Sequence, residues 1–398
     1  MNMGIINDVL FRDLVREVPS TTYATHTLYM YPAKFIPQVI RYVINKYSGP
    51  GDWLFDPFAG YGTVAIEASL TGRNAVLWDL NPITEVLVKA STFRGELRLS
   101  DFDVDWGFNK PYRPSWSNIH YWHPREFYEA LSRAWGWWHY NVPAELKPVV
   151  AIPLLKVTRF FSYADLEIAK LYKSKKAVER VSTLLKGEWR QKMVSMYWGY
   201  ARQTIEKIRD YQSRGPRDVE IDVKVGVDSL NTVLDRDVDV MVTSPPYLQA
   251  QEYIRSFKLE LAWLDFGSRL TELAKHEIPY NNPSNIKVNS ETYLKVREEV
   301  EKLNHGKLLD IYDAYFKSLT YFLNKNHERI KGVIAIFVGP TKIRNIRVPI
   351  DEILREHVET LIDTIISRRL FKVRKNPATG LKEERTPTEH LLVMRSKQ

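Results

Sequence analysis

The sequence Thr243-Ser244-Pro245-Pro246-Tyr247 follows a short β-branched run, Val238-Asp239-Val240-Met241-Val242. Such a run reads as a buried parallel strand. Two successive prolines can neither continue a strand ladder nor enter a helix interior, so the chain must break sharply there. A Ser hydroxyl, proline carbonyls and an aromatic ring are thereby set at the carboxyl end of a strand, where open α/β sheets bind ligands. The set offers acceptors for an exocyclic amino group and a ring to stack on a flat base. An ordinary proline turn with a packed Tyr is the other reading of the stretch.

A second punctuated stretch lies far upstream. Asp52-Trp53-Leu54-Phe55 predicts a strand that runs into Asp56-Pro57-Phe58-Ala59-Gly60-Tyr61-Gly62-Thr63, with a helix over Val64–Thr71. Strand, glycine turn and helix bring a ligand close to backbone amides at a helix N-terminus. Gly60 and Gly62 permit the tight turn and the close approach. Asn74-Ala75-Val76-Leu77-Trp78-Asp79 predicts the next strand, ending in an acid 17 positions after Gly62. A carboxylate at that spacing suits ribose hydroxyls, and turn plus acid together point to an adenosine-containing cofactor.

Taken together, Asp56–Thr63 and Thr243–Tyr247 resemble the exocyclic-amino methyltransferases that use S-adenosylmethionine, and the Ser-Pro-Pro-Tyr form resembles their cytosine-N4 branch. Tyr31-Pro32-Ala33-Lys34-Phe35, by itself a packed loop, is similar to the segment upstream of the glycine turn in that family. Val225-Gly226-Val227-Asp228-Ser229 resembles its third strand, whose acid faces the cofactor adenine. The matches cover roughly residues 25–92 and 222–265, in an order similar to the family's alpha-type permutation. The resemblance implies an α/β fold, a Rossmann-like class I methyltransferase sheet with a mostly helical inserted domain. It implies Ser244, Pro245, Pro246 and Tyr247 as catalytic residues. Its implied cofactor set is Tyr31–Phe35, Asp56, Pro57, Phe58, Ala59, Gly60, Gly62, Thr63, Asp79, Asn81, Asp228, Ser229 and Thr243. No metal is expected. An adenine-N6 enzyme on the same scaffold and an inactive nucleic-acid-binding subunit are the alternatives.

At 398 residues, 44% hydrophobic and 26% charged, the chain has ordinary globular composition and length for two domains. Having no cysteine, it has no disulfide, thiolate zinc site or Cys nucleophile. This absence, with many Lys, Arg and Glu, is compatible with a heat-adapted source. No apolar run reaches membrane-spanning length and no secretory signal is recognisable, so a cytoplasmic protein is expected. The net charge of +9 suits a polyanionic partner, or simply a solvated basic surface.

The division expected is 1–95 for the first half of the methyltransferase domain, 96–218 for an inserted recognition domain, and 219–398 for the second half. Eight of the eleven Trp fall between Trp106 and Trp198, and Leu166–Lys207 has a largely helical pattern. Aromatics beside basic residues suit base stacking and phosphate contact; a helical domain with an aromatic core and a solvated basic face is the plainer alternative. Lys173, Lys175, Lys176, Arg190, Lys192 and Tyr253 are the candidate substrate contacts. Duplex DNA and structured RNA both fit, and the oligomeric state stays open, a monomer being compatible with the pattern. Elsewhere the pattern predicts helices over Ile5–Arg16, Gln38–Tyr47, Tyr253–Leu264, Leu309–Leu323 and Ile350–Ile366. It further predicts a mobile polar loop over Gly267–Leu308, a buried strand at Gly332–Val338, and a hairpin of Leu370–Lys375 with Glu389–Met394.

Overall fold

The computed structural model describes residues 7–10, 14–18, 20–168, 170–248, 252–278, 286–339, 341–361, 371–374 and 388–395. In chain order the first half gives β1 (Asn7–Leu10), α1 (Pro37–Tyr47), β2 (Trp53–Asp56), α2 (Thr63–Thr71), β3 (Asn74–Asp79) and α3 (Ile83–Ser91). The insert gives α4 (Ile119–Trp122), α5 (Arg125–Asn141), α6 (Lys147–Phe160), α7 (Lys175–Leu185) and α8 (Trp189–Ser213). Then follow β4 (Ile221–Val225), β5 (Val238–Thr243), α9 (Tyr253–Ser256), α10 (Lys258–Trp263), α11 (Leu270–Lys275), α12 (Glu291–Glu301) and α13 (Gly306–Asn326). The last elements are β6 (Ile330–Val338), β7 (Thr341–Ile343), β8 (Ile346–Val348), α14 (Ile350–Glu359), β9 (Phe371–Arg374) and β10 (Thr388–Arg395).

One eight-stranded sheet has the order β1-β9-β10-β6-β5-β2-β3-β4. Its pairs are parallel except those of β10, which runs antiparallel to both β6 and β9. Alternate strand residues face opposite sides. Leu54, Ala75, Leu77 and Val240 pack on the apolar stripe of α1 (Val39, Ile40, Val43, Ile44) and on α2. Phe55, Val76, Trp78 and Met241 bury the other face against α13 and α14. With both faces covered, the strands can be apolar throughout, which is why the short runs were legible.

Sequence order reverses direction between β2 and β5, since β3 and β4 lie on one side of β2 and β5 on the other. Such a switch point leaves a crevice beyond the strand ends. Asp56, Asp79 and Thr243 end β2, β3 and β5, and Asp228 follows β4, so one row of side chains rims that crevice.

Three expectations are corrected. Asn7–Leu10 is a strand paired in parallel with β9, not part of a helix: the long-range ladder overrides the local amphipathic pattern. Gly267–Leu308 is not one loop, because it contains α11 and α12. Ser290 caps α12 by accepting the Tyr293 N–H, and Tyr293, Val296 and Val300 face the core at helical spacing. Tyr253–Leu264 is two short helices that break at Phe257. Asn281–Asn285, the end of Ile350–Ile366 and the hairpin turn Asn376–Gly380 lie outside the described residues; the hairpin strands pair as expected.

The insert shares its core with the sheet's flank. Trp122, Trp135 and Trp138 are buried in one cluster with Ile83, Leu87 and Ala90 of α3 and Trp263 of α10. The insert's other five tryptophans are part-buried and pack against that cluster. Its aromatic richness is thus largely core.

Candidate active site

The glycine turn and the proline motif, distant in sequence, meet in one cleft. It encloses about 870 Å³ including its mouth, and its walls include Gly60, Asp79, Asp228, Ser244 and Pro246.

The two glycines serve different ends. Gly60 has φ +54, and a Cβ there would come within 3.0 Å of the Tyr31 ring, so its smoothness belongs to the cleft. Gly62 has φ +85 and begins α2, but a Cβ there would lie 2.2 Å from Val88 on α3. It permits helix packing and does not line the cleft.

Thr243 Oγ1 donates to Asp56 Oδ1 at 2.7 Å, which ties the ends of β5 and β2 across the switch point. Asp79 accepts the Gly60 N–H at 2.6 Å and the Asn81 N–H at 2.7 Å. Ser229 Oγ donates to the Pro57 carbonyl at 2.9 Å, fixing the loop after β4 against the glycine turn. Burial pushes the Asp56 carboxyl up to about 7 and that of Asp79 to about 6, despite these bonds. Lys34 is pushed down to about 8 by burial and then by Lys207.

Of the expected cofactor residues, Tyr31, Ala33, Lys34, Phe35, Asp56, Phe58, Ala59, Gly60, Asp79, Asn81, Asp228 and Ser229 line the cleft, whereas Pro32, Pro57, Gly62, Thr63 and Thr243 do not. Ser244 and Pro246 line it, as does Tyr253, which stacks near Tyr31 at 6.0 Å. Pro245 faces a small apolar cavity with Met241 and Leu319 instead. Tyr247 lies off the cleft wall, its hydroxyl donating to Glu389 of β10 at 3.0 Å.

The basic candidates of the insert stand apart from the cleft. The Lys173 ammonium lies 3.8 Å from the Tyr163 ring and 4.5 Å from that of Tyr121. Lys176 pairs with Glu167, Arg190 lies over Trp189, and Lys192 lies near Phe160; Lys175 is exposed at the start of α7. Lys170, just before this cluster, pairs with Glu252, next to Tyr253. The insert therefore reaches the rim of the cleft.

Sequence reasoning missed His276, Glu277 and Ile278, which close one wall. They follow α11 in a polar stretch with no motif, and only the tertiary fold brings them over the strand ends. Among the described residues no group of His, Cys, Asp and Glu is arranged to hold a metal ion.

A mostly parallel α/β sheet, with a glycine turn and an acid-ended strand opening on one cleft, defines a nucleotide-binding α/β class, and comparison with known proteins narrows it to a methyltransferase. Residues 7–89 match the family model of the N6/N4 methyltransferases, described as DNA methylase. The chain is 22% identical to the type II methyltransferase M.BsoBI of Geobacillus stearothermophilus, over 82% of this chain and 76% of that one. It is 24% identical to the type II methyltransferase M.MvaI of Kocuria varians, over 81% of this chain and 73% of that one. The chain is thus similar to N4/N6 DNA methyltransferases, through the family model at its N-terminal end and through these relatives over most of its length. Among solved structures, the rRNA methyltransferase aviRa of Streptomyces viridochromogenes matches at 10% identity, covering 97% of this chain and 96% of that one. Its TM-score of 0.33 is too low to carry an argument. Among the described residues no helix is long and apolar enough to cross a membrane.

Proposed function

We propose that the protein transfers a methyl group from S-adenosylmethionine to the exocyclic N4 amino group of cytosine in DNA, with residues 96–218 as the recognition insert. The carrying observation is that Ser244 and Pro246 share one cleft with Gly60 and Asp79. The residues fit an adenosine cofactor: a cradle that a Cβ at Gly60 would fill, and a half-buried carboxylate at the end of β3.

Asp79 would accept from the ribose, Asp228 and Ser229 would border the adenine, and Tyr31 and Lys34 would flank the methionine end. When bound, the cofactor supplies an electrophilic methyl group, so the protein's task is chiefly positioning and charge accommodation. The cytosine amino group is poorly nucleophilic because its lone pair is delocalised into the ring. Hydrogen bonds from its N–H groups to Ser244 Oγ and a backbone carbonyl of the proline motif facing the cleft would pull the nitrogen toward tetrahedral geometry. Ser is a poor base, so the proton leaves to water after transfer. The target base must leave its stack to reach this cleft.

Two points favour DNA over RNA. The matching family model is described as DNA methylase, and three of the insert's eight tryptophans are buried while the other five pack in part against the same core, which limits the rings left to stack on bases. Incubation with methyl-labelled cofactor and either duplex DNA or unmodified ribosomal RNA, followed by nucleoside mass spectrometry, tests the proposal. N4-methylcytosine in DNA is expected. N6-methyladenine would move the assignment to adenine, and label in ribosomal RNA alone would overturn the DNA reading.

A further inference from the structure

Glu277 is a buried carboxylate in the cleft that no motif announces. The residue is 7% exposed and lies between His276, whose ring nitrogen is 3.2 Å from Asp228 Oδ2, and Ile278. All three line the cleft, so this segment crosses it beside the β4 end. Glu277 Oε1 accepts the Ile254 N–H at 2.9 Å, and the Tyr253 amide bonds the carboxylate as well. Among the described residues no basic side chain pairs with it. A buried carboxylate without a cation is costly unless donors reach it.

Its electrostatic neighbours locate it. The field of Asp79 acts on Glu277, and the Tyr31 hydroxyl feels both carboxylates. Burial first, then Glu252 and Asp79, push the Glu277 carboxyl up to about 7. Two carboxylates that repel across a cleft suit a ligand bringing two neutral donors between them. A vicinal diol does this, each hydroxyl giving one proton to one acid. Asp79 already spends a lone pair of each oxygen on a backbone amide, which leaves room for a second acceptor.

We propose that Glu277 is a second cofactor-binding carboxylate, accepting one ribose hydroxyl while Asp79 accepts the other. This rests on the cleft being the S-adenosylmethionine site. It adds that the segment after α11, and not the strand ends alone, grips the nucleoside.

Calorimetric titration of wild type, Glu277→Ala and Glu277→Gln with S-adenosylmethionine, S-adenosylhomocysteine and the 2′- and 3′-deoxy forms of the latter is the test. Thermal melting checks that each variant folds, and the Gln variant, which keeps the shape, serves if the Ala variant does not. Glu277→Ala should weaken both natural nucleosides alike, by about tenfold for one lost hydrogen bond to a charged group. One deoxy form should bind wild type and variant equally. Unchanged affinity, or full affinity with lost turnover, would overturn the assignment. A loss confined to S-adenosylmethionine would place the carboxylate at the sulfonium and overturn it too. Failure of wild type to bind any of these nucleosides would instead remove the cofactor reading of the cleft itself.

Discussion

At the scale of single residues, the cleft brings together the groups proposed to hold the cofactor and those proposed to meet the base. Asp79 is half-buried at the end of β3 and hydrogen-bonded to the glycine turn. Asp79→Ala should weaken S-adenosylmethionine binding by about 1.5–3 kcal/mol, the worth of a hydrogen bond to a charged group. Calorimetry checks this, and unchanged affinity would remove the ribose assignment. Ser244 stands on the opposite side of the switch point, past β5. Ser244→Ala should leave cofactor affinity near wild type and lower the methylation rate at saturating cofactor. A variant with full activity would show that the hydroxyl does not touch the amino group.

At the scale of elements, buried polar ties register the pieces against one another. Glu260 of α10 accepts from Arg159 of α6 at 2.7 Å and from the Tyr29 hydroxyl at 2.8 Å. These bonds join the insert, the chain after the catalytic motif and the segment leading into Tyr31. Removing one partner of a buried pair leaves the other charge uncompensated, at about 3–5 kcal/mol. Glu260→Ala should therefore lower unfolding stability by that amount in a urea titration; a change below about 1 kcal/mol would show that apolar packing alone docks α6 on α10. A second tie centres on Glu67 of α2, which receives the Tyr23 hydroxyl, the ring of His26 and the Arg41 guanidinium. It fastens the N-terminal segment to the helix that follows the glycine turn.

For the whole molecule, three carboxyls of the cleft have raised values: Asp56 and Glu277 at about 7, Asp79 at about 6. A carboxyl whose folded value lies above its unfolded value binds more protons folded than unfolded, so its contribution falls as pH rises through the folded value. His123 and His357, held down to about 4 by burial, bind fewer protons folded than unfolded, so their contribution runs the other way and grows as pH rises through the ordinary imidazole value of about 6.5. Lys34 and Lys156, at about 8, begin to oppose the trend only above that window. Because these contributions have opposite signs, the clean readout is a difference: the melting temperature of Asp56→Asn should gain on that of wild type as pH rises from about 6 to about 8. A difference that stays constant across this interval would contradict the buried-carboxyl account. The net charge of +9 belongs to the same scale. Reversing Lys173, Lys175 and Lys176 to Glu should weaken DNA binding and reduce its salt slope by about 0.9 for each phosphate no longer neutralised. Cofactor affinity should not change, and an unaltered slope would make the cluster a solvated face.

The sequence by itself determined the strands, the glycine turn and the proline break, because each is written in neighbouring residues: β-branched runs, residues tolerant of positive φ, and residues that cannot join a ladder. It determined Gly60, Asp79 and Ser244 as cleft residues for the same reason, since each stands at the end of its own short apolar strand. Tertiary structure alone decided that Gly62 answers to Val88 rather than to a ligand, because α2 and α3 meet only after the sheet forms. It alone made Asn7–Leu10 a strand, since the partner lies near the other end of the chain. It turned the insert's tryptophans inward and set Glu277 across from Asp79, placements that depend on which surfaces pack together and that no local periodicity encodes.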